Sequence, residues 1–387
     1  MRLICDCVRT FGRVFSVGLF AIALVAVTGP AAAQAPQVFK TETGSVRVVT
    51  VAQRLSYPWA LQFLPDGRML VTEREGRIRV IARDGTLLPA LTGVPAVAAS
   101  GQGGMLDLAL DRDFVRNQAI YFCFSEAGDG GVGSAVARAR FSPQGLDDVR
   151  IIFRQLPKAS GGLHFGCRIV PAPDGTLFVT LGERYQRDRA QDLGTHLGKV
   201  IRINTDGSVP KDNPFVNNAN ARAEIWSYGH RNPQGAALHP ATARLWIHEH
   251  GARGGDEINL PEPGKNYGWP VITYGRDYSG LRIGEGTAKT GMEQPIHFWD
   301  PSIAPSGMAF YSGDQFPAWR GNLLVGALRG QLLTRLELDG TKVIREERML
   351  TDLGERIRDV RVGPDGLVYL LTDDSRGRVI RLEPVRP

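Results

Sequence analysis

Short runs along this chain alternate apolar and polar residues, and a reverse turn precedes each run. Met69–Glu73 (MLVTE) follows Pro65-Asp66-Gly67, Thr176–Glu183 (TLFVTLGE) follows Pro173-Asp174-Gly175, and Leu367–Asp374 (LVYLLTDD) follows Pro364-Asp365-Gly366. A period of two fits a half-buried strand, and Asp-Gly after Pro reverses the chain. Weaker copies of the theme lie at Ala109–Glu126, Leu238–Gly251 and Tyr311–Leu328. Helix patterns are scarce, while 46 glycines and 24 prolines punctuate β-branched and aromatic runs. The pattern predicts an all-β protein. Six copies predict a six-bladed β-propeller with four-stranded antiparallel blades, in preference to a pair of β-sandwiches. The copies are spaced more widely than one blade of ~40–45 residues requires. Long loops between strands are therefore expected to gather on one face, where a site can be built.

The first residues follow another logic. Arg2, Arg9 and Arg13 precede or flank the uncharged apolar run Val14–Val27, and Ala31-Ala32-Ala33 follows it. This order predicts a secretory signal peptide over 1–33, cut after Ala33. The run is shorter than the ~20 apolar residues a membrane span needs, and no later stretch is long enough. Residues 34–387 then form one domain, a length that a repeat ring accommodates better than a single core. The formal charge is +6 at pH 7 with no lysine or arginine block, which gives no case for nucleic acid. Past the leader only Cys123 and Cys167 remain. They can pair in an exported protein or stay as two buried thiols, and neither has metal-ligand spacing.

Candidate chemistry concentrates in Glu224–Pro270, which holds Arg231-Asn232, the loop EHGARGGDE and a Tyr-Gly-Trp turn. The loop offers carbonyls and carboxylates suited to a hard cation such as calcium. Arg231 presents several donors in a fixed fork. Upstream, Gln102 sits in a glycine loop, and His164 is flanked by glycines one strand before Glu183. A lone histidine is more often structural, but one oriented by a carboxylate is a suitable general base near neutral pH. Arg356 and Arg358 stand two apart, so on a strand they share a face. With Arg329 they outline a pocket for a multiply charged anion, the plainer alternative being solvated rim arginines.

The motifs then stand in a recognisable order. Gly101-Gln102-Gly103-Gly104 comes first, then His164 with Gly166 and Arg168, then Gly229-His230-Arg231-Asn232-Pro233-Gln234-Gly235. Glu249-His250-Gly251, Asp256-Glu257-Ile258-Asn259 and Gly264-Lys265-Asn266-Tyr267-Gly268-Trp269-Pro270 follow, and Arg356-Ile357-Arg358-Asp359-Val360 with Pro364-Asp365-Gly366 closes the series. From about Leu55 to Leu382 the chain resembles the soluble quinoprotein glucose dehydrogenases, most closely their aldose sugar dehydrogenase branch. The resemblance implies pyrroloquinoline quinone (PQQ) lying across the top face of the propeller. His164 would touch it and take the proton of the sugar's anomeric hydroxyl, while hydride passes to the quinone and the aldose becomes a lactone. Glu183 would orient the base. Gln102 and Arg231 would face the quinone oxygens and the substrate, and Asn232 would bond the cofactor. Arg329, Arg356 and Arg358 would hold its three carboxylates, and Trp299 would pack beside it. Carbonyls of Gly251 and Ala252 would bind a calcium ion, with Glu257 and Tyr267 at a second, structural one. The leader predicts a periplasmic protein, the loops, shorter than those of the glucose enzymes, point to a monomer, and electrons would pass to an external acceptor. The chain departs from the family pattern at Leu163 (polar in relatives), Ala252 (usually proline) and Arg329 (lysine in the glucose enzymes), and its shorter loops imply an open cleft and broad substrates.

Two other readings of the same residues are distinguishable. A calcium-dependent lactonase-type hydrolase would need carboxylate and asparagine ligands converging on the central channel. A non-enzymatic propeller binding a sugar or protein partner would make His164 and the paired arginines incidental.

Overall fold

The computed structural model describes residues 37–386, so the expected signal peptide lies outside the described residues. Within them, strands dominate and the few helical segments are single turns. No helix among the described residues is long and apolar enough to cross a membrane.

Six antiparallel sheets form the blades of a propeller. Each recurrent turn of the sequence is the hairpin between the first and second strands of one blade. The pairs are Pro58–Phe63 with Met69–Glu73, Met105–Leu110 with Ala119–Gly128, Gly166–Pro171 with Thr176–Leu181, Pro233–Leu238 with Leu245–Glu249, Pro305–Phe310 with Leu323–Ala327, and Ile357–Val362 with Val368–Thr372. The Asp-Gly chemistry explains the turns. Gly67, Gly175 and Gly366 adopt left-handed φ values of +85°, +82° and +74°, which glycine reaches without a Cβ clash. The preceding aspartate accepts the N–H two residues on: Arg68 to Asp66 at 3.0 Å, Thr176 to Asp174 at 3.0 Å, and Leu367 to Asp365 at 3.1 Å. Aspartate thus satisfies a donor that the turn would otherwise leave free.

The first strand of each blade is innermost, and each packs on the next around a closed ring, with Ile357–Val362 returning to Pro58–Phe63. The last sheet is closed by the opposite end of the chain. Gly44–Leu55 pairs with Gly377–Pro384, and the extra strand Gln37–Thr41 makes this sheet five-stranded where the others have four. Apolar faces of neighbouring blades fill the space between them, as with Leu106, Phe122, Val136, Phe165, Ile169 and Val179 between the second and third. Cys123 and Cys167 form a disulfide across the same two blades.

The axis is polar. Arg168 bridges Asp107 at 3.1 Å and Asp359 at 3.0 Å, and Arg361 reaches the same two carboxylates at 3.2 and 2.9 Å. Asp107 also accepts the Ile169 N–H and Asp359 the Leu61 N–H. Burying four charges is tolerable only because each has opposite charges and hydrogen bonds around it. The Arg168 guanidinium also lies 4.2 Å from the ring centre of Trp59, so the ionic cluster sits directly against an indole that faces the site.

Candidate active site

A cavity of about 250 Å³ lies over this ionic cluster, with Trp59, Gln102, Asn232, His250, Arg356 and Arg358 among its walls. Arg356 immediately precedes the innermost strand of the last blade and Arg358 is its second residue. Both reach one carboxylate, Asp373, at 2.9 and 3.3 Å. Burial alone would raise the Asp373 pKa, but Arg358 and Arg356 outweigh it and hold the carboxyl below its ordinary value. Arg358 also donates to Gln234 Oε1 at 3.3 Å, while its buried Nε–H has no partner among the described residues. A buried guanidinium donor without an acceptor is costly, and an anion in the cavity would supply one. His250 donates from Nε2 to the Pro305 carbonyl at 2.7 Å. Burial holds its pKa down to about 3, so this histidine adds a ring but no charge. The donor set therefore fits a polycarboxylate.

His164 stands between this cavity and a neighbouring cleft. Its backbone N–H donates to Gln102 Oε1 at 2.8 Å on the cavity side, and its Nδ1 meets Glu183 Oε1 at 2.8 Å on the cleft side. The chain bulges to present it: His164, Gly166 and Cys167 have φ of 55°, 65° and 81°, and the strand register shifts between Gly166 and Ile169. A Cβ at Gly166 would fall 2.6 Å from the Gly182 nitrogen, so only glycine lets the two segments touch. Arg184 clamps the bulge from behind, donating to the Leu163 and Gly161 carbonyls and lying over the Phe165 ring. Burial lowers the Arg184 pKa to about 10, which still leaves it charged. His164 is 5% exposed. Burial lowers its pKa, the Glu183 hydrogen bond opposes that shift, and the Arg231 charge adds to it. Glu183 accepting Nδ1–H leaves the Nε2 lone pair free, with the imidazole neutral near pH 7.

Glu183 and Arg231 line the cleft, of about 270 Å³, with Tyr185, Ala252, Trp269 and Tyr278. Arg231 is fixed at both ends. Its N–H donates to Glu249 Oε2 at 2.5 Å, and its guanidinium donates to the Gly251 carbonyl and lies 5.2 Å from the Trp269 ring centre. Its buried Nε–H has no partner among the described residues. Asn232 accepts the Gly166 N–H at 3.1 Å, tying the Arg231 turn to the His164 bulge.

Residues 55–381 match the glucose/sorbosone dehydrogenase family. The chain belongs to that family. An aldose sugar dehydrogenase of Escherichia coli, YliI, is 49% identical over 88% of this chain and 93% of its own length. The apo-form crystal structure of the soluble E. coli aldose sugar dehydrogenase superposes with a TM-score of 0.86 at 48% identity, over 88% of this chain and all of the other. The PQQ-bound form of the aldose sugar dehydrogenase from Streptomyces coelicolor gives 0.74 at 30% identity, over 89% and 99%.

Within this glucose/sorbosone dehydrogenase fold the other expected residues are dispersed. Arg329, one residue past the cavity-lining Leu328, is exposed and is not among the lining residues. Trp299 is not a cavity residue either. It lies on the outermost strand of the fourth blade, packed with Trp246, Ile258 and Leu332, and its indole donates to Glu346 at 3.2 Å. The tryptophan that lines the cavity is Trp59. The Gly251 carbonyl expected at a cation faces Arg231, and Ala252 lines the cleft beside it. Glu257 pairs in register with Glu249 across two strands. Burial and the Glu249 charge push the Glu257 pKa up to about 8, and the nearby buried Asn259 Oδ1 has no partner among the described residues. Asn259 Nδ2 donates to both carboxylates, at 3.1 and 3.2 Å, and the two crowded carboxylates, with the amide turned to bring its oxygen to them, fit a divalent cation. The Tyr267 hydroxyl is bonded to Leu260 and Glu262, and its ring stacks on His230 at 4.8 Å.

Two features of this dehydrogenase site escaped the sequence reading. His230 Nδ1 meets Glu249 Oε1 at 2.9 Å and its Nε2 meets Ser227 Oγ at 2.9 Å, all three groups buried. His230 and Glu249 are as far apart in the chain as His164 and Glu183, one blade earlier. That equal separation was a signal available in the sequence. Unlike His164, His230 has both ring nitrogens bonded, so it braces the Arg231 turn. The second feature is Asp373, the shared counter-ion of Arg356 and Arg358.

Proposed function

We propose that the protein oxidises aldose sugars at the anomeric carbon to the lactone with PQQ as its cofactor and calcium as its cation. The observation that carries this reading is the placement of His164. A buried imidazole with a free Nε2 lies between an arginine-lined cavity that suits a polycarboxylate and an open cleft that can admit a sugar. The PQQ-bound relative supports the choice of anion.

In this reading the cavity residues Gln102, Asn232, Arg356 and Arg358, with Arg329 at the rim, hold the cofactor. Arg356 and Arg358 neutralise its carboxylates, since burying a polyanion requires paired positive charge. Bound there, the quinone would supply the hydride acceptor, and calcium would supply a Lewis acid at the Gly251 and Ala252 carbonyls once the Arg231 guanidinium that now donates to Gly251 turns away. His164 Nε2 takes the proton of the anomeric hydroxyl. Glu183 holds the ring in the tautomer that can do so and stabilises the imidazolium that results. Arg231 lines the same cleft and would orient the sugar with its guanidinium. Glu257, with Glu249 and the Tyr267 turn behind it, binds a second, structural calcium. Electrons leave to an external acceptor, and the chain works as a periplasmic monomer once its leader is removed.

The hydrolase alternative loses ground at the axis. Its ligands would have to come from Asp107 and Asp359, which are engaged by Arg168 and Arg361. The test is to titrate the purified chain with PQQ and calcium and then supply an aldose panel with a redox dye. Saturable PQQ binding and dye reduction that needs both additions are expected. Lactone hydrolysis without quinone, or PQQ binding with no aldose oxidised, would overturn the proposal.

A further inference from the structure

Arg74 also lines the cavity, beside Trp59, Gln102 and Asp373, and no motif of the sequence pointed to it. It follows the second strand of the first blade in an ordinary charged stretch, Glu73-Arg74-Glu75. Its surroundings are built around it. The guanidinium lies 4.4 Å from the ring centre of Tyr57, which itself adopts a left-handed φ of 45°. Its backbone is pinned on both sides, N–H to the Tyr57 carbonyl at 3.1 Å and C=O to the Met105 N–H at 3.0 Å. A Cβ at Gly104 would come within 2.6 Å of Arg74 Cγ and closer still to the Arg74 carbonyl. Glycine there leaves room for the arginine stem.

Arg74 makes no ion pair among the described residues, whereas Arg356 and Arg358 share Asp373. Its field nevertheless reaches that carboxylate. Of the three guanidiniums that line the cavity, Arg74 alone has no carboxylate partner, and an aromatic face holds it there. We infer that Arg74 binds a carboxylate of the polyanionic cofactor, as a positioning cation from the first blade beside Arg356 and Arg358 of the adjoining last blade. This rests on the reading of the cavity as the PQQ site.

The experiment is a titration of PQQ into wild type, Arg74→Ala and Arg74→Lys, followed by the cofactor's absorbance and by quenching of tryptophan fluorescence, at two ionic strengths. Arg74→Ala is expected to weaken binding about ten- to a hundredfold, the loss of one charge-assisted contact. It should also flatten the dependence on salt, since one fewer charge is screened. Arg74→Lys should recover part of the affinity. Melting of the three cofactor-free proteins should coincide, because Arg74 is half-buried and its side chain donates no hydrogen bond. If wild type binds PQQ and Arg74→Ala binds it as tightly with the same salt dependence, the assignment of Arg74 is wrong and the cofactor reading stands. Failure of wild type to bind PQQ sinks both.

Discussion

Glu183 holds Nδ1 of His164 at 2.8 Å, and that contact leaves Nε2 as the ring's only free acceptor. His164→Ala is expected to keep PQQ binding and lose about 10²- to 10⁴-fold in turnover, the usual worth of a positioned general base. Glu183→Gln should keep the ring in place but relax the tautomer, with a smaller loss confined to kcat. Stopped-flow reduction of the bound quinone by glucose reads both, and full activity in His164→Ala would remove the histidine from the mechanism.

Four histidines are held neutral by burial. The pKa of His164 and His196 is lowered, that of His250 falls to about 3, and that of His248 lies well below its ordinary value. In the unfolded chain each titrates near ~6.5. Between those values the unfolded chain binds more protons, so stability present above about pH 6.5 drains away as pH falls towards 3. Urea midpoints of the cofactor-free protein should drop steadily over that window. A midpoint unchanged between pH 7 and pH 4 would contradict the burial of these rings.

Asp373 stands where an incoming anion would compete with it for Arg356 and Arg358. Asp373→Asn should tighten PQQ binding several-fold, because one negative charge facing the cofactor is gone. The same change should lower the melting temperature of the cofactor-free protein, because two close guanidiniums lose their shared partner. Calorimetric titration and thermal unfolding report the two effects separately, and their opposite signs are the diagnostic result.

Glu257 faces Glu249 in register, and its carboxyl is pushed up to about 8 by burial and by that neighbour. A divalent cation between them would replace the proton. Adding calcium is expected to raise the melting temperature in a concentration-dependent way, by mass action on the folded state. Glu257→Gln should shrink that response, leaving only what the Gly251 and Ala252 site contributes. An equal calcium shift in the variant would move the structural cation elsewhere.

What the sequence could disclose followed local rules. Three of the six hairpins were legible from Pro-Asp-Gly turns and the other three from weaker copies of the same turn-and-strand theme, and each turn joins the inner two strands of a blade. His164 and Glu183 could be placed together because they end adjacent strands of one hairpin. Contacts made around the ring were not legible. Arg74 and Arg358 meet the same cavity from opposite ends of the chain, and nothing local to Glu73-Arg74-Glu75 marks it. Trp299 shows the converse: the family resemblance set it beside the cofactor, yet its strand is the outermost of the blade and its indole packs towards the next one. Asp373 was hidden in an acidic pair, Asp373-Asp374, whose second member shapes a turn, its carbonyl accepting from Tyr57 and Gly377 and its carboxylate from the Arg376 N–H.

The strand Gly44–Leu55 lies beside Gly377–Pro384, so Val46 and Pro384 are ladder partners. Synthesis therefore cannot finish the ring until its final residues emerge, and clipping that terminal strand would spring the whole circle open. For the same reason the first and last described strands, Gln37–Thr41 and Gly377–Pro384, lie in one sheet, where a short linker could join them. A circularly permuted chain, reopened at the exposed Asp339-Gly340 tip, would keep every strand pairing and give up only the present order of the gene.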